Sequence, residues 1–179
     1  MGKNTDPKAL RESPALGDAR DQLNLVLGFF SRVDGKQSVL LGIHVAMLGY
    51  LASRAPPPSL ATWPGWGAGA LFVLLTALSM WRLYQGSFPN LDGGANSLVF
   101  FRAIATLREI DFIQRYRAGS DEAMTQEVLA QVWRNSVILH DKFQKLRASW
   151  RLMACSIVPW LVAIVFFRAE GATLVIGSR

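Results

Sequence analysis

Residues 121–167 read DEAMTQEVLAQVWRNSVILHDKFQKLRASWRLMACSIVPWLVAIVFF, and the fold turns on what this stretch does. Leu129, Val132, Ser136, Leu139, Phe143, Leu146, Trp150 and Met153 recur three and four apart, the heptad spacing of a helix packed against other helices. After Arg151 come sixteen residues without a charge, apolar on every face, which suits hydrocarbon better than a half-wet surface. The stretch is expected to form one helix that starts in water and ends in lipid, roughly 70 Å long at about 1.5 Å per residue.

The composition fits that reading. Hydrophobic residues make up 51% of the chain and charged residues only 18%, below the usual quarter. The length allows one small soluble part and a membrane part. A single cysteine, Cys155, excludes an internal disulfide and is expected to be a small buried apolar side chain. One cysteine and two distant histidines cannot assemble a zinc site, so neither a metal nor a cofactor is expected.

Outward from the organising helix, residues 1–17 mix charge, Pro and Gly without period and are expected to be a disordered tail. A cytoplasmic helix is expected over 18–37, because Leu16, Ala19, Leu23, Val26, Phe30 and Val33 repeat the three and four spacing. It runs without a stop into uncharged residues 38–53, the first expected transmembrane segment. Residues 55–81 are uncharged throughout: a Pro-rich connection, then a second span placed at 66–83. The two spans form a helical hairpin.

Residues 86–150 are expected to form a cytoplasmic helical bundle. Within it, GSFPNLDGGANS (86–97) reads as a loop, followed by a helix from Leu98 to about Ala118 that Asn96 or Ser97 can cap. Gly119 then ends that helix and Ser120 opens the next. The third span is placed at 152–167, with 168–179 as an external tail. The fold class is therefore an all-α membrane protein, with three transmembrane helices and a cytoplasmic bundle built partly from their extensions.

Placement of the basic residues gives an orientation. Six Lys or Arg precede the first span and ten lie between the second and third, against one in the hairpin loop and two after the third. The positive-inside rule puts the N-terminus and middle segment in the cytoplasm. The net charge of +6 is accordingly topological, and a nucleic-acid partner is not expected.

Charged residues gather where helices enter the spans. Asp34 and Lys36 on one helix, and Asp141, Lys142 and Lys145 on another, would share a layer if the helices lie side by side. They form either a salt-bridged collar or a site for an anion such as a nucleotide phosphate, with Arg102 near a helix N-terminus as a further donor. Gly93-Gly94 is not a P-loop, because no Lys-Ser/Thr follows. His44 is the ionisable side chain at depth within the first span, either a functional group or a neutral imidazole bonded to Thr76 or Ser79. Gly42, Ala46 and Gly49 make a small-residue stripe for close helix contact, within the chain or between copies. Pro159 can kink the third span. No nucleophile–base pair is visible, so no catalytic residue and no enzyme are expected.

Three blocks carry a resemblance: SRVDGKQSVLLG at the first span, GSFPNLDGGANSLVFFRAIA after the second, and VILHDKFQKLRASWRLM before the third. Together they resemble the transmembrane effector family of the bacterial Pycsar anti-phage systems. Asp34 and Lys36 match the first motif, Phe88 and Pro89 the second, and Lys142 with Leu146 the third. The resemblance implies an effector of the bacterial inner membrane that senses a cyclic pyrimidine mononucleotide, cCMP or cUMP. A partner nucleotide cyclase would make that signal, and the effector would disrupt the bilayer in abortive infection; a homo-oligomer is expected, because three short spans in one copy cannot enclose a wide pore. Two other readings compete: a membrane scaffold whose bundle docks a partner, and an ion or proton carrier using His44.

Overall fold

A computed structural model describes residues 13–57, 62–88 and 97–177, with side chains described through 169. The expected tail up to residue 12 and the loop residues 89–96, with Pro89 and Asn96, lie outside the described residues. Every described element is a helix: α1 (Pro14–Arg54), α2 (Trp63–Ser87), α3 (Phe101–Ile104), α4 (Glu109–Ala118) and α5 (Asp121–Gly177). The chain divides into two compact units, one holding residues 13–31 and 97–140 of the described chain, the other built on Arg32–Pro89 and Asp141–Arg179.

In the first unit, α1 starts four residues before the expected position, which shortens the expected tail. Pro14 occupies the first turn, where its missing N–H costs nothing, and Ser13 accepts at its side chain from Leu16 N–H at 3.4 Å. The N–H of Ser13 donates to Asp121 Oδ2 at 3.0 Å, tying the starts of α1 and α5 together. Leu16, Ala19, Met124 and Val128 form the core there, with Leu23 and Val99 against it.

The expected helix from Leu98 to Ala118 is two helices. Ser97 Oγ accepts from the N–H groups of Val99 and Phe100, each at 3.2 Å, and Glu127 on α5 accepts from Leu98 N–H at 2.6 Å. The chain turns after Ile104, and Arg108 in extended backbone opens α4. Arg108 donates to both Asp111 oxygens, at 2.8 and 3.0 Å, and this hydrogen bonding raises the guanidinium pKa above its ordinary value. Acidic Glu109 and Asp111 in the first turn, with Arg115 and Arg117 in the last, match the helix dipole at both ends. Gly119 closes α4 with φ −71° and ψ 143°, so a left-handed glycine cap is not what ends it. Ser120 accepts from Ala123 N–H at 3.2 Å and caps α5, as expected from the sequence.

In the second unit, α1, α2 and α5 bury a common seam. Along α1 the buried or half-buried positions keep the heptad spacing through Val33, Gln37, Leu40, His44, Met47 and Leu51. Leu51, Phe72, Ala163 and Phe167 form an apolar cluster with Met47 and Trp160 against it, and Trp160 Nε1–H donates to Met47 O at 3.1 Å. The rest of the seam is mixed: Gln37, His44, Thr76, Ser79, Lys142, Ser149 and Ser156 are buried among Val33, Leu40, Leu83, Leu146 and Met153. Outside lie Val39, Val45, Leu74, Leu78, Val158, Leu161 and Val165. A unit with polar groups inside and aliphatic groups outside is suited to lipid as its solvent.

α2 and α5 are long and apolar enough to cross a membrane. Of the three expected spans these two meet that measure, and residues 38–53 of α1 do not. Helix α5 has no break at Trp150, and it continues through Pro159 and past residue 168 to Gly177.

Candidate functional site

The second unit carries a cavity of about 460 Å³, lined by Asp34, Gln37, Ser38, Leu41, Met80, Leu83, Tyr84, Ser87, Phe88 and Lys142. Its volume falls in the range of roughly 300–1,000 Å³ typical of small-molecule sites. Heptad spacing places Gln37 on the α1 seam and Lys142 on the α5 seam, so both helices aim a polar side chain inward. The final turn of α2 supplies Tyr84, Ser87 and Phe88.

Lys142 Nζ donates to Asp34 Oδ1 at 2.5 Å. The lysine side chain is 6% exposed and the aspartate 54%, so the cation is sunk and the anion sits at the surface. Beside them, Lys145 donates to Asp141 at 2.6 Å and to Gln85 O at 3.3 Å, which places a cation at the C-terminal end of α2. Gln37 is buried with its Nε2 unpartnered, and a Cβ added at Gly86 would come within 2.7 Å of that nitrogen. Glycine at 86 therefore lets the amide reach α2.

Four of the six charged residues singled out from sequence, Asp34, Asp141, Lys142 and Lys145, thus meet in this unit. Lys36 is exposed on α1, two residues and about 200° round the helix from Asp34. Arg102 belongs to α3, in the first unit. Sequence reasoning missed Gln37, Tyr84 and Phe88 as lining residues. The signal was present for Gln37, which continues the spacing Phe30, Val33, 37, Leu40.

Farther along the seam, Ser79 and Ser149 bond reciprocally: each hydroxyl lies against the other residue's carbonyl, at 2.9 and 3.1 Å, with the two oxygens 2.6 Å apart. His44 Nδ1 lies 2.7 Å from Leu40 O. A carbonyl only accepts, so Nδ1 carries a hydrogen and donates it, which leaves Nε2 as the other polar atom of the ring. That Nε2 and Thr76 Oγ1 are buried without a partner, correcting the expected His44–Thr76 or His44–Ser79 bond. Leaving such a group unsatisfied costs about 1–3 kcal/mol. Cys155 is exposed rather than buried, because the seam passes through Met153 and Ser156 on its flanks. Among the described residues, no group of three or more His, Cys, Asp or Glu could hold a metal.

Apolar helices of membrane length with polar groups buried between them, and a cavity walled by the Asp34–Lys142 ion pair, mark the class as a helical protein of membrane type. The chain belongs to the Pycsar effector family: the family model PycTM, described as the Pycsar effector protein domain, matches residues 18–169. Membership places it among anti-phage effectors and implies a cyclic nucleotide signal from a cyclase. Together with the two apolar helices it points to a membrane location. No curated protein matches the chain. No solved structure matches it either.

Proposed function

We propose that the chain is a receptor, without catalytic activity, that binds a cyclic pyrimidine mononucleotide, cCMP or cUMP, and responds by permeabilising the bacterial inner membrane. Family membership sets the class, and the buried Lys142 ammonium at the wall of the cavity carries the site assignment. A cyclic phosphodiester bears one negative charge and can take the place of the Asp34 carboxylate on Lys142. Tyr84 and Phe88 offer ring faces to the pyrimidine, and Gln37 Nε2–H a donor to its carbonyl edge. Exchange of the anion releases α1 from α5 at this point. A micromolar ligand has about 8 kcal/mol of binding energy, and moving a two-state equilibrium from 1:99 to 99:1 takes about 5.5 kcal/mol of differential affinity.

In this reading α1 also crosses the bilayer, with its N-terminus in the cytoplasm, since its 38–53 segment turns Val39, Leu41 and Val45 outward. Copies assemble along α1: Gly28, Gly35, Gly42 and Gly49 recur every seven residues, and a Cβ at any of them would meet nothing within 4 Å. The stripe noted at Gly42 and Gly49 is thus unused within the chain and open to a second copy. The test is membrane potential in cells making the protein, with cCMP, cUMP or purine cyclic nucleotides supplied. Depolarisation with a pyrimidine nucleotide alone is expected. Dye retention that is unchanged by every nucleotide rejects the proposal.

A scaffold reading retains one observation in its favour. Leu129, Trp133 and Val137 are exposed on α5 in the first unit, Trp133 by 69%, as a partner-docking face would be. It predicts a heteromeric complex recovered from membranes regardless of nucleotide.

A further inference from the structure

The buried polar seam of the second unit is costly where it stands. Two contacts fix the register of α1 against α2: Gln37 with Gly86, and Leu51 with Phe72 in one core cluster. The two bounds on each helix lie fourteen positions apart, so the midpoints, His44 and Ser79, share a layer. Ser79 bonds Ser149 of α5, which brings the third helix into the same layer. One turn away on α2 stands Thr76 and two turns along α5 stands Ser156, both buried. Four hydroxyls and an imidazole thus line the contact of three helices whose outer surfaces are aliphatic. Two of these groups, His44 Nε2 and Thr76 Oγ1, have no partner at all.

Serines that bond across helices, as Ser79 and Ser149 do, are ordinary where helices pack in lipid, but a buried imidazole nitrogen and a buried threonine hydroxyl with nothing to bond are not. Unsatisfied groups point instead to another state in which water satisfies them. We infer that this seam is the closed form of an aqueous path for small ions, lined by His44, Thr76, Ser79, Ser149 and Ser156 and closed both by the reciprocal Ser79–Ser149 pair and, at its far end, by the apolar cluster of Leu51, Phe72, Ala163 and Phe167. The path begins at the Asp34–Lys142 end of the unit, where the nucleotide cavity lies, so loosening α1 from α5 there opens the seam from that end. Its lining is hydrogen bonding and holds no Asp, Glu, Lys or Arg, so no fixed charge there selects ions by sign. The outward aliphatic residues stay in lipid. When copies assemble, the seam, and not the exposed glycine face of α1, becomes wet.

This inference rests on the permeabilising function proposed above, and the test separates the two. The full chain is reconstituted in phosphatidylethanolamine–phosphatidylglycerol vesicles, and potassium release is followed with cCMP or cUMP. Ser79→Cys and Ser156→Cys are made in a Cys155→Ala background and treated with a charged, membrane-impermeant thiosulfonate. Labelling is read by mass spectrometry and leak by electrode. Expected are nucleotide-dependent labelling of both seam cysteines and a severalfold drop in leak on labelling. The native protein, with Cys155 outward, should keep its leak under the same reagent. Leak in the native protein with no labelling of either seam cysteine overturns the path alone, as does equal block through Cys155. No leak from the native protein with either nucleotide, before any reagent, overturns the proposed function and the path with it.

Discussion

Lys142 Nζ sits 2.5 Å from Asp34 Oδ1, with the lysine buried and the aspartate half in solvent. The asymmetry makes the carboxylate the replaceable partner. Asp34→Asn is expected to remove the competitor of the ligand phosphate, so the membrane should respond at a nucleotide concentration several-fold lower. The apo protein should lose about 1–2 kcal/mol of stability, a figure discounted for the exposed aspartate. Lys142→Met should abolish the response. Dye-release titrations check both, and a similar loss from Lys3→Glu would count against the site.

Gly86 lets Gln37 approach the end of α2. Gly86→Ala forces the amide to shift, which should cost about 1 kcal/mol or less of stability because a flexible side chain can give. The cavity, however, loses its donor position. Nucleotide affinity measured by calorimetry in detergent should fall about tenfold while the thermal midpoint barely moves.

Thr76 presents a buried hydroxyl without a partner. Thr76→Val is nearly isosteric and should stabilise the closed protein by about 1 kcal/mol. Thermal unfolding in detergent should show a raised midpoint. If the hydroxyl serves a wet state, the nucleotide-triggered leak should fall at the same time.

The open glycine face of α1 predicts a further separation of effects. Gly42→Leu adds bulk where nothing lies within 4 Å, so the single chain should fold as before. Cross-linking in membranes should lose its oligomeric species, and the response to nucleotide should weaken. Retention of full oligomer would place the contact elsewhere.

Much of the helical outline could be read from sequence, because runs of uncharged residues and caps such as Ser120 are local signals. The face of α5 was not legible in the same way. Leu139, Leu146 and Met153 are buried as the apolar spacing requires, yet Leu129, Phe143 and Trp150 from the same stripe are exposed. In the first unit the buried face of α5 takes in Val128 and Gln131, and in the second unit Lys142, Ser149 and Ser156 join Leu146 and Met153. Hydrophobic periodicity locates a core when water is outside; where lipid is outside, the inward residues can be the polar ones. The charged layer at Asp34 and Lys142 was readable, since span ends are marked by charge, whereas nothing in the local pattern set Tyr84 apart and Phe88 stood out only through the motif it matches. The turn between α3 and α4 depended on Arg108–Asp111, a pair with no periodic signature.

The uncharged part of α2, from Trp63 to Trp81 ahead of Arg82, makes a rod of about 28 Å, close to a hydrocarbon slab of about 30 Å. In a thicker or thinner bilayer the acyl chains must adjust or the helix must lean, and either change costs a fraction of a kcal/mol per ångström. Lipid chain length thus becomes a dial on the threshold for activation: a host that remodels its fatty acids under stress would retune this protein without altering a single side chain.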